Sequence, residues 1–388
     1  MGSEMCIRDR GNIDRQTADK LFEISKRFAC EDTPEVKQMI LDINAQVPEE
    51  AKRLHRDSII IDQCNFSFES YSWNLAESGI TALAITSMDT KADAGVAIRY
   101  LADDISTIHH NADHMLLVEK PDDILRAKAE NKVGIILGSQ NCEFLHHNDL
   151  DATVYLFHKL GMRIIMPAYN HRSFAADGCY QSANAGLSND GKKLIAALQK
   201  YGVTVDLSHV GERSTLDALD MAQKPMIFSH SNPKKYVDHP RNITDEQAKK
   251  CAATGGVVGA TAFNVTLFDG VHFPTIENFI DCIDYYVQLI GIDHVGIGID
   301  SNITIGGYEH RKQYYFSRLT LDTMGTDSLP YKSYLAGRGV LSECSEGLMN
   351  LANYPNITYG LMKRGYKEQD IKKILGENWL RVYRETWV

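Results

Sequence analysis

Eight short, unbroken apolar runs rich in Ile and Val lie between positions 58 and 300. They are 58–62 (SIIID), 80–86 (ITALAIT), 133–138 (VGIILG), 163–166 (RIIM), 203–207 (VTVDL), 225–229 (PMIFS), 256–262 (GVVGATA) and 294–300 (HVGIGID). Continuous rather than alternating apolar residues suit strands covered on both faces, as in a parallel sheet. Parallel neighbours need a crossover long enough for a helix. Most intervals carry one, as in 150–160 (LDATVYLFHKL), 191–201 (GKKLIAALQKY), 213–222 (RSTLDALDMA) and 275–290 (TIENFIDCIDYYVQLI). Eight strand-then-helix units predict an α/β fold, a (β/α)8 barrel. A doubly wound open sheet is disfavoured because no GxGxxG turn follows the first run, and no nucleotide cofactor is expected.

The remaining segments frame this repeat. The first ten residues, MGSEMCIRDR, read as a translated sequencing-library adapter joined to a start codon, and are set aside from fold reasoning. Residues 11–56 read as an N-terminal helical segment, with Thr33-Pro34-Glu35 as an N-cap, a first-turn proline and an acidic first turn. The barrel itself is expected over 57–388. The stretch 301–340 is long, Gly-dotted and tyrosine-rich, the profile of a lid or interface loop. The tail 355–388 reads as two helices separated by Gly365, its aromatics serving packing rather than chemistry.

Charge and cysteine usage exclude several function classes. The net charge is −10 with no basic block, so nucleic acid is not an expected partner. No run of eighteen apolar residues occurs, so no membrane span is expected. Eight cysteines without a CxxC pair argue against a disulfide scaffold or a zinc ribbon, and suggest reduced thiols in the cytoplasm.

In a parallel barrel, chemistry gathers where strands end, because the βα loops form the mouth. The runs end here in a polar set: Asp62-Gln63-Cys64-Asn65, Thr86, Gln140-Asn141, Tyr169-Asn170, Asp206 to His209, His230, Asn264 and Asp300. Two are histidines on consecutive strands, in DLSH (206–209) and FSHSN (228–232). Neutral imidazole is a common ligand for zinc, so this pair with Asp300 points to metal or substrate binding.

The segments VDLSHVGERSTLDAL, PMIFSHSNPKKYVDHPRNITDEQ, TGGVVG, GIDHVGIGID and GENWLRV, in this order, closely resemble the membrane (renal) dipeptidase family of metallopeptidases. The resemblance runs from about Ser58 to Arg381. It implies a distorted (β/α)8 TIM barrel of the amidohydrolase type, a homodimer, and a binuclear zinc site that hydrolyses dipeptides. By the same resemblance His209 and His230 match two ligands of one zinc. Asp300 matches the aspartate near the attacking water, and Arg241 matches the arginine that pairs with the substrate carboxylate. A guanidinium fork suits that bidentate task.

Three positions depart from the family pattern. Cys64-Asn65-Phe66 stands where the family has His-x-Asp, Gln140 where it has a bridging glutamate, and Tyr169 where it has a substrate-facing histidine. A pair of divalent ions carries about +4, while one carboxylate, Asp300, remains at the aligned positions. The expectation is therefore one zinc, held by His209, His230 and a third ligand. Gln140 stands in a ligand position, and Cys64 or Cys179 could supply a thiolate. The leading expectation is a metal-dependent hydrolase of a small amide or dipeptide-like carboxylate. Asp300 and Cys64 would be the catalytic candidates, and Arg241, Tyr169 and Asn170 the substrate-binding ones. A thiol-dependent lyase or isomerase, or a catalytically silent ligand-binding homologue, is the alternative.

Overall fold

The computed structural model describes residues 34–66, 71–88, 92–269, 274–300, 345, 347, 348 and 350–387. The expected loop 301–340, the first ten residues and residues 11–33 of the N-terminal segment fall outside them. Nine strands lie among the described residues: β1 Ile61–Phe66, β2 Ala82–Thr86, β3 Met115–Leu117, β4 Val133–Ser139, β5 Met162–Ile165, β6 Thr204–Val205, β7 Ile227–Phe228, β8 Val257–Ala260 and β9 Val295–Ile297.

Every pairing between these strands is parallel. One sheet runs β1-β2-β4-β5-β6 and another β7-β8-β9. Two seams join them into a barrel. At the first, Asp206 bridges to Ile227 and Leu207 N–H donates to the Ile227 carbonyl at 2.8 Å. At the second, Asp300 N–H donates to the Cys64 carbonyl at 3.2 Å, and Ile299 N–H to Asp62 Oδ1 at 2.8 Å. All eight apolar runs form strands, as the sequence predicts.

Two differences have physical causes. The sequence places the first strand at 58–62 and the polar residues Asp62 to Asn65 at its end. The strand instead spans Ile61–Phe66, with an irregular register between Asp62 and Asn65. Those polar groups are tolerated inside it because their partners come from other elements. Asp62 accepts from Tyr354 Oη and Asn65 Nδ2 as well as from Ile299 N–H, and Gln63 Nε2 donates to Tyr383 Oη. The second difference is β3, which pairs with Val133 to Ile135 at the start of β4, while β5 pairs with Leu137 to Ser139 further along. Such sharing of one strand distorts the barrel.

The pleat divides the core in two. Leu83, Ile85, Ile135, Leu137, Ile165, Phe228 and Val258 pack outward against helical residues such as Leu101, Leu194 and Ile280. Ile61, Ala82, Ile136, Ile164, Ile227 and Val257 pack with Trp379 and Tyr383 of the last helix, Asn378–Thr386. Trp379 is fully buried and donates to the Ile297 carbonyl at 3.2 Å. Gly296 makes room for it, since a Cβ there would lie 2.5 Å from the indole. The tail aromatics are thus packing groups. Its two expected helices do part at Gly365, which has φ +83°. At the other end, the described part of the N-terminal segment is two helices, Pro34–Ala45 and Glu49–Asp57, parted by Pro48. No helix among the described residues is long and apolar enough to cross a membrane.

Candidate metal centre and active site

Strand ends gather the candidate side chains, and the backbone at three of them is held in the left-handed region. Among the described residues the non-glycine positions with positive φ include Asn170 (+25°), His209 (+66°) and Asp300 (+62°). Such backbone is uncommon for residues with a side chain and costs about 1–3 kcal/mol where over-determined, which makes its clustering at one mouth informative. At His209 the over-determining contacts are visible. Its carbonyl accepts from Cys179 N–H at 2.7 Å, and Gly178 bridges to Val210, so the loop after β5 clasps the loop after β6.

His209 and His230 face one another, Nε2 to Nε2, at 3.0 Å. The opposite ring nitrogen of each is occupied. His209 Nδ1 lies 2.7 Å from Asn170 Oδ1, and His230 Nδ1 lies 2.6 Å from Ser229 Oγ. Asn170 Oδ1 can only accept, and the Ser229 hydroxyl also lies 3.2 Å from Ser208 Oγ. His209 Nδ1 therefore carries the proton and its Nε2 a lone pair, while the His230 tautomer follows the Ser229 hydroxyl, which either donates to Nδ1 and leaves Nε2–H to bond His209, or accepts from Nδ1–H and turns to Ser208. Burial, with Arg241 nearby, pushes both histidines well below the ordinary imidazole range, so neither ring is charged. In the second arrangement both Nε2 lone pairs face one space, where a cation can take the place of the bridging proton. The donor chemistry fits a divalent metal.

Beneath this pair Asp206 Oδ1 accepts from Ser208 N–H and Ser229 N–H, each at 3.0 Å, and Ser208 Oγ accepts from His230 N–H at 3.0 Å. Ser208 enters the sequence reading only within the run Asp206 to His209, and Ser229 does not enter its polar set. They adjoin the two histidines, and that adjacency was the available signal.

The opposite side of the mouth is built from β1, β2, β4 and the end of β9. The Cys64 thiol donates to Asp300 Oδ1 at 3.3 Å. Gln140 Nε2 donates to Cys64 Sγ at 3.2 Å and to Thr86 Oγ1 at 3.0 Å. Burial and the Asp300 carboxylate push the thiol well above its ordinary range. Cys64, His230 and Asp300 nevertheless place one ligand atom each within 4.8 Å of one another. The Asp300 carboxyl is itself raised, chiefly by burial, while Arg241 draws it down.

Arg241 and Tyr169 close the rim. Arg241 is buried, donates from Nη2 to the His230 carbonyl at 3.3 Å, and leaves Nη1 without a partner. Its backbone N–H donates to His239 Nδ1 at 3.2 Å. Tyr169 stacks on the His209 ring, centroids 4.1 Å apart and 26° between planes. Cys179 stands to the side, its sulfur 3.8 Å from Asn170 Oδ1. The structure thus brings together Cys64, Gln140, Tyr169, Asn170, His209, His230, Arg241 and Asp300.

A parallel barrel with imidazole, thiol and carboxylate donors converging at its mouth defines a metallo-dependent, amidohydrolase-like hydrolase fold. Residues 72–320 and 339–387 match the model of the membrane dipeptidase family (peptidase family M19), and the chain belongs to that family. The match begins after β1, so the strand carrying Cys64 lies outside it. Dipeptidase tcpJ of Claviceps purpurea is 27% identical over 277 residues, 71% of this chain and 56% of the relative. The chain spans about half the length of the curated relatives it matches. An amidohydrolase from Pseudomonas aeruginosa is 30% identical with a TM-score of 0.75, over 87% of this chain and 99% of that one. A metallo peptidase from Rhodobacter sphaeroides, liganded with a phosphinate mimic of the dipeptide L-Ala-D-Ala, shares the fold at 18% identity. Its TM-score is 0.68, over 85% of this chain and all of that one.

Proposed function

We propose that this chain is a metal-dependent hydrolase of small amides or dipeptide-like compounds bearing a carboxylate, working with one divalent ion rather than two. The observation that carries the reading is the His209–His230 pair, with its Nε2 atoms 3.0 Å apart and both Nδ1 atoms occupied elsewhere. These two histidines would hold the ion, zinc by preference, with Gln140 in the remaining family ligand position. A bound divalent ion supplies Lewis acidity and lowers the pKa of water.

The other roles belong to the chain itself. Asp300, at the end of β9, accepts the proton of the attacking water. Arg241, buried with Nη1 unpartnered, binds the substrate carboxylate in a two-pronged contact. Asn170 holds the His209 ring, and the Tyr169 ring stacked on it presents a phenol toward the scissile group. The thiol-dependent alternative has less support, because burial beside Asp300 keeps Cys64 protonated in the absence of a cation. A homodimer in the cytoplasm, the barrel occupying 57–388, completes the proposal.

Ordinary dipeptides are expected to be poor substrates, since Cys64, Phe66 and Gln140 replace the ligands of a second ion. Elemental analysis should find no more than one tightly held ion per chain, and sedimentation should find a dimer. The decisive assay offers L,L and L,D dipeptides and N-acyl amino acids with zinc, manganese and cobalt in turn. Metal-dependent hydrolysis of an N-acyl amino acid supports the reading. Dipeptide turnover above about 10 s⁻¹ restores plain dipeptidase as the function, and silence with every metal removes the hydrolase.

A further inference from the structure

Two neutral imidazoles alone make a poor home for a divalent ion in a buried pocket that already holds a guanidinium. Arg241 lies close enough to depress both histidines and Asp300. An ion of charge +2 beside Arg241 has Asp300 as its one carboxylate donor among these groups, while the Asp206 and Asp62 carboxyls are raised by burial and engaged with backbone and side-chain donors. One more negative ligand at the ion offsets the charge it shares with Arg241, and the carboxylate of a bound substrate offsets it further.

We propose that Cys64 supplies that charge, binding the ion as a thiolate and forming with His230 and Asp300 a three-donor face beside His209. The inference rests on the metal-hydrolase reading and puts Cys64, in place of Gln140, as its remaining donor. Ligand atoms around one tetrahedral zinc lie about 3.3–3.8 Å apart, given metal–ligand bonds of about 2.0–2.3 Å. Cys64 Sγ and Asp300 Oδ1 are already 3.3 Å apart, and all three donors lie within 4.8 Å of one another. The backbone pins two of them together, through Asp300 N–H on the Cys64 carbonyl at 3.2 Å.

Gln140 supplies independent support. Its amide nitrogen donates to the sulfur at 3.2 Å and is held by Thr86 Oγ1 at 3.0 Å. The thiol's one proton points at Asp300, so Gln140 addresses a sulfur lone pair, as an outer group does for a metal-bound thiolate. Gln140 thereby becomes a positioning residue for the sulfur rather than a ligand. On loading, the S–H bond breaks heterolytically. Its electron pair forms the sulfur–metal bond, the proton leaves to solvent, and nothing is oxidised or reduced. Sulfur also biases the site toward zinc, cobalt and cadmium over manganese and magnesium.

The test uses the full chain, stripped with a chelator and reloaded with one equivalent of Co²⁺ or Zn²⁺. The cobalt form should show a near-ultraviolet thiolate-to-metal absorption band, and zinc X-ray absorption should show one sulfur at about 2.3 Å. Both should vanish in Cys64→Ser and Cys64→Ala. Proton release during loading, measured on the unaltered chain in weak buffer, should be about one per ion. That measurement decides the matter should the variants fail to fold. One ion bound without a sulfur signal, or with a signal unchanged in the variants, overturns the inference and leaves the hydrolase reading standing. No ion bound at all overturns both.

Discussion

The two sides of the barrel mouth treat their polar groups in opposite ways. On the side built by β6 and β7, each histidine has its Nδ1 occupied and its Nε2 aimed at the other ring, with the His230 N–H held by Ser208 Oγ and the His209 carbonyl by Cys179 N–H. On the side built by β1, β2 and β4, Thr86, Gln140, Cys64 and Asp300 form a continuous hydrogen-bonded chain. The first side presents a nitrogen pair to the pocket, whereas the second satisfies itself as long as no cation is bound. The difference teaches that one barrel mouth can pair open donors with a closed hydrogen-bonded network that keeps its buried groups satisfied.

Four experiments press on this contrast, beginning with the largest effect. His230→Ala removes the shared donor and should bring metal content to background. Turnover of any substrate should fall by about 10²–10³-fold, the loss typical of a preorganised electrostatic element. Retention of both metal and activity would place the ion elsewhere. Next, Arg241→Lys keeps the charge but not the fork. It should lower kcat/KM about tenfold to a hundredfold, mainly through KM, with the melting temperature little changed. Equal kinetics would remove Arg241 from substrate capture.

Third, Gln140→Glu sets a carboxylate beside Cys64 and Asp300 and deletes the amide donor. The metal-free protein should lose about 1–3 kcal/mol in denaturant titration. Should the variant take up a second ion and melt higher, the self-satisfied side retains latent metal affinity and the contrast fails.

The smallest effect concerns the buried anchor just before β1. His55 joins the helix Glu49–Asp57 to the Ser78 carbonyl at 2.8 Å and to Thr358 Oγ1 at 2.7 Å. Burial, the main cause, lowers its pKa to about 4 from 6.5. Between pH 6.5 and 4 the unfolded chain binds the extra proton, so stability is full above 6.5 and lost as pH falls toward 4. His55→Gln should flatten that part of the curve relative to the unaltered chain. An unchanged slope in chemical unfolding would show that His55 titrates alike in both states.

Legibility from sequence followed physical locality. All eight apolar runs became strands because burial on both faces leaves a continuous signature. β3 escaped because three residues, Met115–Leu117, are too few to show a period. The extension of β1 through Asp62 to Phe66 escaped because its partners Tyr354 and Tyr383 lie 292 and 320 residues away. At the site, His209 and His230 were legible as residues following two apolar runs. Their facing nitrogens, the left-handed backbone at His209 and Asp300, and the Gln140 contact with sulfur arise from elements far apart in sequence. Spacing along a chain cannot report them.

The seam between β1 and β9 has a consequence in time. Cys64 and Asp300 stand on opposite lips of it, separated by 236 residues. At about 5–20 residues per second, a ribosome needs roughly 10–50 s to emit the second after the first. Throughout that interval the nascent chain carries half a centre: a thiol and an amide without their carboxylate, beside parallel strands whose partners are still unmade. Long-range closures of this kind are slow and come late. On the proposed reading metal capture belongs to the end of biosynthesis, after the last strand has docked, and a refolding experiment should recover helical content before it recovers a bound ion.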